Sequence, residues 1–201
     1  MAEWNGSEAE KIFLADVALA GSAQTDSVAA EALLRRIYPK IFQVVHSLVQ
    51  NRENVDDMAQ QSAIEVMKSL SNYAGRGSIE AWAGRIAYRV TKRTIKSERL
   101  RMRLMQPLSE DRAAPDCSPE ESVSRSRLYD MLVGKMAQIP EKQRVPLLLH
   151  VAYGYTVDEV AQITDSSRNT VKYRLKSGYR VMREILAANP ALRTAMLREI
   201  S

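Results

Sequence analysis

The segment from Tyr155 to Lys176, YTVDEVAQITDSSRNTVKYRLK, constrains the fold more than any other stretch. Thr156 and Glu159 stand three apart, just ahead of apolar Val160, Ala161 and Ile163. That pattern opens a short helix with a capping box. Thr164, Asp165 and Ser166 then read as a turn, with Asp165 at a position that needs a left-handed backbone. Ser167 is placed to N-cap a second helix. The start of that helix carries Arg168, Asn169, Thr170, Lys172, Tyr173, Arg174 and Lys176, with Arg180 further along. Two short helices, a tight turn and a basic second helix describe a helix-turn-helix that enters the DNA major groove. The alternative is a surface hairpin with a solvated basic face. The order of cap, turn and base-reading side chains favours DNA.

The rest of the chain agrees with an all-α fold. Of 201 residues, 45% are hydrophobic and only 6% aromatic, and no alternating strand pattern of useful length occurs. The net charge of +5 suits an acidic partner. Cys117 is the only cysteine, so no internal disulfide forms and a reducing cytoplasm fits. No run approaches the ~20 apolar residues of a membrane span. The start carries Glu3, Glu8, Glu10 and Asp16 with no basic region, unlike a secretion signal.

Two helical blocks flank a breaker-rich linker. The linker, 106–122, holds three of the seven prolines and five acids against one Arg. Lacking apolar periodicity, it reads as extended and mobile. The first block, 28–105, contains three helical stripes. One runs Leu34, Ile37, Ile41, Val44/Val45 and Leu48. The next runs Val55, Met58/Ala59, Ser62/Ala63, Val66/Met67 and Leu70. The third runs Ile79, Trp82/Ala83, Ile86/Ala87, Val90 and Thr94. Ser78 ends the turn 72–78 and is placed to cap the third helix. The extension, 1–27, offers a weaker helix from about Ser7 to Leu19. The second block, 123–187, opens with the stripe Leu128, Met131/Leu132, Met136 and Ile139. Pro140 suits the start of the next helix, Pro146 should bend it, and Gly154 should end it. The tail, 188–201, is short and amphipathic, with no assigned role.

Catalysis finds little support. His46 and His150 lie on hydrophobic helices, no Cys/His cluster has metal spacing, and no glycine-rich phosphate loop is present. Asp56 and Asp57 are adjacent and point apart on a helix. The reading is therefore no enzyme, no metal, no cofactor and no small-molecule substrate. The third helix carries something else. From Arg85 to Arg103 it has eight basic residues and one acid, Glu98. Arg85, Arg89, Lys92, Lys96, Arg99 and Arg103 fall at spacings of 4, 3, 4, 3 and 4, on one helix face. Like charges there repel by a few tenths of a kcal/mol per pair, and a polyanion would offset that. Tyr73, Trp82 and Tyr88 lie close enough in sequence to stack on unpaired bases, although Trp82 suits a place in the core at least as well.

Together these stretches resemble the sigma-70 family of bacterial RNA polymerase sigma factors, extracytoplasmic-function (ECF) group. NVDDMAQQ at 54–61 resembles the family's D-A-E-D-L-x-Q-E segment. YAGRGSIEAWAGRIA at 73–87 resembles its F-x-G-x-S-S-F-x-T-W-L-x-x-I-A segment. IPEKQR, then YGYTVDEVA and SRNTVKYRL, resemble the region 4 signature. The resemblance implies that region 2, here 28–105, docks on the polymerase β′ clamp helices through Asp56, Asp57, Gln60 and Gln61. It implies that the loop and third helix open and read the −10 element, through Tyr73, Arg76, Ser78, Trp82, Arg85, Tyr88, Arg89, Lys92, Arg93 and Lys96. Region 4, 123–187, would touch the β flap. It would read the −35 element through Ser167, Arg168, Asn169, Thr170, Lys172, Tyr173, Arg174, Lys176 and Arg180. A cognate anti-sigma factor, often membrane-anchored, is the implied regulator. The chain departs from the pattern at three positions: Arg89 and Arg93 stand where Asn and Asp are usual, and Asp165 replaces the turn glycine.

A helix-turn-helix regulator that binds duplex DNA without polymerase is the competing reading. The basic stripe on the first block argues against it, since an input domain needs none.

Overall fold

The computed structural model describes residues 6–49, 54–105, 135–136 and 138–188. Regular structure there is entirely helical. The expected linker, the tail beyond Ala188, and Leu128, Met131 and Leu132 of the second block's first stripe lie outside the described residues.

Helix α1, Gly6–Ser22, is the weak N-terminal helix, and it packs against the next one. Asp26 caps α2, Ser27–Leu48, by accepting the Val28 N–H at 3.0 Å. The buried face of α2 runs Leu33, Ile37, Ile41, Val44, Val45 and Leu48. It starts on Leu33 rather than the expected Leu34, which is only partly covered. Helix α3, Val55–Lys68, buries Val55, Met58, Ala59, Ser62, Ala63 and Val66. A 3₁₀ turn, Leu70–Asn72, leads into the loop before α4, Ile79–Met105. Ser78 Oγ accepts the Ala81 N–H at 3.2 Å, capping α4 as the sequence predicts. Helix α4 packs on α2 and α3 through Ile79, Ala83, Ala87 and Val90. Beyond residue 95 both its faces are exposed up to Leu104.

The second block begins with α5, Glu141–Leu147, N-capped by Pro140. Pro146 has no N–H and its ring crowds the carbonyl four residues back. Directly after it the helix widens into a π-helical segment, Leu148–Ala152. The distortion expected at Pro146 thus takes the form of a change in hydrogen-bond spacing. Gly154 follows at φ +73°, where a side chain would be strained. Helix α6, Val157–Ile163, starts with the predicted capping box. Helix α7, Arg168–Ala187, starts at Ser167, whose Oγ accepts the Thr170 N–H at 3.1 Å. Asp165, between them, has φ +52°.

The two blocks share one apolar core. Leu149, Tyr155, Ile163 and Val171 belong to the same buried cluster as Ile37, Val44 and Ala87. Ile163 has no exposed surface. Burying such a side chain contributes roughly 1.5–3 kcal/mol.

Candidate nucleic-acid interface

The loop before α4 is built by residues from three elements. Tyr73 is buried, its ring 5.3 Å from that of Trp82, and its hydroxyl donates to the Gly77 carbonyl at 2.7 Å. Gly75 (φ +65°) passes so close to α1 that a Cβ there would lie 2.7 Å from Val17 Cγ2. Asp16 of α1, 1% exposed, accepts the Ile79 N–H at 3.2 Å and receives Arg36 Nη1 at 2.7 Å. An anion at the first N–H of α4 meets the positive end of the helix dipole. Arg36 also pairs with Glu80 at 2.6 Å, and that hydrogen bond is the largest cause of its raised pKa. Burial, aided by the charges of Asp16 and Glu80, pushes Tyr73 up to about 12. Sequence reasoning missed Asp16. Its partners are 20 and 63 residues away, and no local pattern marks it.

The residues expected to touch −10 DNA divide into three groups. Tyr73 and Ser78 face the scaffold, one buried under the loop and one capping α4. Trp82 and Tyr88 are half-buried, and Lys92 Nζ lies 5.6 Å from the Tyr88 ring centre. Arg76, Arg93 and Lys96 are exposed. Arg85, Arg89 and Lys92, the centre of the basic stripe, meet acids of the second block. Arg85 Nη2 donates to Asp165 Oδ1, and Arg89 Nη2 to Asp165 Oδ2 at 2.7 Å. Lys92 Nζ lies 2.8 Å from Glu141 Oε1. The Arg89 hydrogen bond, with the charge of Arg85, holds the Asp165 carboxyl below its usual range.

Helix α7 has one buried and one open side. Val171 and Leu175 of α7 are buried, as the spacing predicts. Arg168, Asn169, Lys172, Tyr173, Lys176 and Arg180 are exposed on its opposite side. Ser167 caps, and Thr170 Oγ1 lies 2.8 Å from Ser167 Oγ. Arg174 donates to Ser166 Oγ at 2.9 Å, bracing the turn. Arg168 Nε lies 3.3 Å from Asp158 of α6.

Asp56, Asp57, Gln60 and Gln61 are exposed on α3, with Asp56 and Asp57 in its first turn. Beside them Ile64 is 52% exposed, an apolar side chain the stripe analysis did not single out. Positions 57, 60, 61 and 64 share one helix face. Among the described residues no group of three or more His, Cys, Asp or Glu could hold a metal ion. No described helix is long and apolar enough to cross a membrane.

Comparison with known proteins matches residues 33–101 to Sigma-70 region 2 and residues 129–182 to Sigma-70 region 4. Together the matches cover well over half of the sequence. The chain belongs to the sigma-70 family. Its relatives place this sigma factor in the ECF group. It is 26% identical over 159 residues to the ECF RNA polymerase sigma factor SigE of Mycolicibacterium smegmatis, a match covering 78% of this chain and 61% of that protein. It is 25% identical over 160 residues to the ECF RNA polymerase sigma-E factor of Haemophilus influenzae, covering 76% and 84%. Its fold is similar to CnrH in complex with the cytosolic domain of CnrY, with a TM-score of 0.63 at 17% identity over 87% of this chain and 99% of that one. It is equally similar, at 0.63, to the sigma factor RpoE in complex with the anti-sigma factor NepR from Bartonella quintana, at 14% identity over 79% and 97%. Members of this family direct RNA polymerase to promoters and are non-catalytic.

Proposed function

We propose that this sigma factor binds core RNA polymerase and directs it to promoters, with three surfaces dividing the work. The exposed α3 face around Asp57, Gln60 and Ile64 docks on the polymerase clamp. Its apolar centre within a polar rim has the make-up of a protein interface. The loop 73–78 and the basic face of α4 engage the −10 element. Helix α7 reads the −35 element, and it carries the proposal furthest. Its buried side is apolar, and its open side presents Arg168, Asn169 and Lys172 at a capped helix start. Arg and Asn at such a place make paired hydrogen bonds to guanine and adenine edges. The chain itself carries out no reaction and works in the cytoplasm.

Of the two similar structures named above, one holds CnrH with the cytosolic domain of CnrY and the other the sigma factor RpoE with the anti-sigma factor NepR. By analogy, an anti-sigma factor covering the polymerase-binding surfaces controls this chain, and a membrane-anchored one would hold it at the inner membrane. The test is reconstitution. Purified chain plus core polymerase should start transcription from a promoter that core alone ignores. A chain that binds the same duplex without polymerase, and never pulls core down, would instead be the competing helix-turn-helix regulator.

A further inference from the structure

Arg144 of α5 is 6% exposed and is the one cation that the fold buries among the described residues. A guanidinium keeps its proton in a protein, so it cannot escape burial by becoming neutral. Among the described residues no hydrogen bond or ion pair reaches its side chain. Burial is the largest influence on Arg144 and works against its charge, and the charge of Arg99 on α4 adds to that. Glu141 is the acid whose charge favours it. That carboxylate is already engaged, with Lys92 Nζ 2.8 Å from Glu141 Oε1.

Helical spacing sets out the cluster. Glu141 and Arg144 are three apart and share a side of α5, while Lys92 and Arg99 are seven apart and share a side of α4. Where Lys92 meets Glu141, the two helices bring opposite charges together. Further along they bring two guanidinium groups within reach of each other's field. Arg99 is exposed, so its long side chain can turn toward Arg144. The result is an excess of positive charge where water has little access, and an anion relieves it. A carboxylate brings one charge and two oxygens in a plane, which suits one guanidinium fork. A phosphate dianion brings two charges and more oxygens, which suits two forks.

We propose that Arg144 and Arg99 form a binding site for a phosphate ion, held between α4 and α5. The small exposure of Arg144 admits an ion and shuts out the backbone of a duplex. Neither arginine is among the side chains assigned to promoter DNA, so the site stands apart from both reading faces.

The test follows urea unfolding of the full chain in phosphate, in acetate and in chloride at matched ionic strength. Phosphate at ten times its dissociation constant should raise the folded-to-unfolded ratio about tenfold over chloride. Acetate should not. Arg144→Met keeps an unbranched apolar stem and should abolish the response to phosphate. Arg99→Gln changes an exposed side chain, leaves folding intact, and should weaken phosphate binding roughly threefold. Broadening of the phosphorus resonance of inorganic phosphate by each folded protein reads the same binding directly, and Arg99→Gln decides the matter by itself if Arg144→Met does not fold. An equal response to phosphate in wild type and both variants would overturn the site, as would equal stabilisation by acetate. Reconstituted holoenzyme carrying Arg144→Met should bind a promoter duplex as wild type does. A loss of duplex binding there, with no response of the free wild-type chain to phosphate, would give the guanidinium to the DNA backbone and overturn the ion site.

Discussion

Asp16 and Ile79 lie 63 residues apart and are joined by one hydrogen bond, from the Ile79 N–H to Asp16 Oδ2 at 3.2 Å. That bond ties α1 to the first turn of α4 and fixes the loop between Tyr73 and Ser78. The N-terminal extension is thereby part of the first block's framework rather than an appendage.

Replacing Asp16 with Ala leaves the Ile79 N–H and one side of Arg36 without their partner. Breaking a buried pair costs several kcal/mol, less where one member is partly exposed as Arg36 is. Asp16→Ala should destabilise the chain by about 2 kcal/mol in urea unfolding. A change under about 0.5 kcal/mol would show that α1 does not anchor α4.

The docking role proposed for the exposed face of α3 is tested by Asp57→Arg. Asp57 is exposed and in the first helical turn. Its loss should cost only a few tenths of a kcal/mol of stability through the helix dipole. Affinity for core polymerase should fall at least about tenfold, as for a charged group near the centre of an interface. Equal affinity of mutant and wild type for core would remove α3 from the docking surface.

Base reading and phosphate binding on α7 should separate. Asn169→Ala should relax preference at particular −35 bases, by roughly 1–3 kcal/mol of discrimination. Lys176→Ala should weaken promoters about evenly and reduce the salt dependence. Transcription from a library of −35 variants decides it. The same base-preference profile from both mutants would contradict the division.

Tyr73 supplies a pH signature. Burial raises its pKa to about 12, above the ordinary phenol value of about 10. Its contribution to stability is therefore complete below about pH 10 and is lost as pH rises through about 12. Ultraviolet titration of phenolate should lose a late component near pH 12 in Tyr73→Phe. If the lost component titrates near pH 10, the ring is not buried as described.

The local side-chain caps of α4, α6 and α7 were legible in the sequence. Ser78, Thr156 with Glu159, and Ser167 cap as their spacing requires, because a cap is a contact over two or three residues. The left-handed turn at Asp165 and the inward side of α7 followed from equally local rules. So did the placing of Arg85, Arg89 and Lys92 on one face of α4, since period 3.6 needs no knowledge of the rest of the chain. What covers that face is another matter. Asp165 is 80 and 76 residues from the two arginines, and Lys92 and Glu141 sit on different blocks. Tyr73, with the residue type for stacking on DNA, is turned inward by Trp82, Gly77 and the α1 contact. Local chemistry therefore determined which residues share a surface. Only tertiary packing decided which surfaces are open, because burial of Ile163 and pairing of distant charges are gains that no short window of sequence contains.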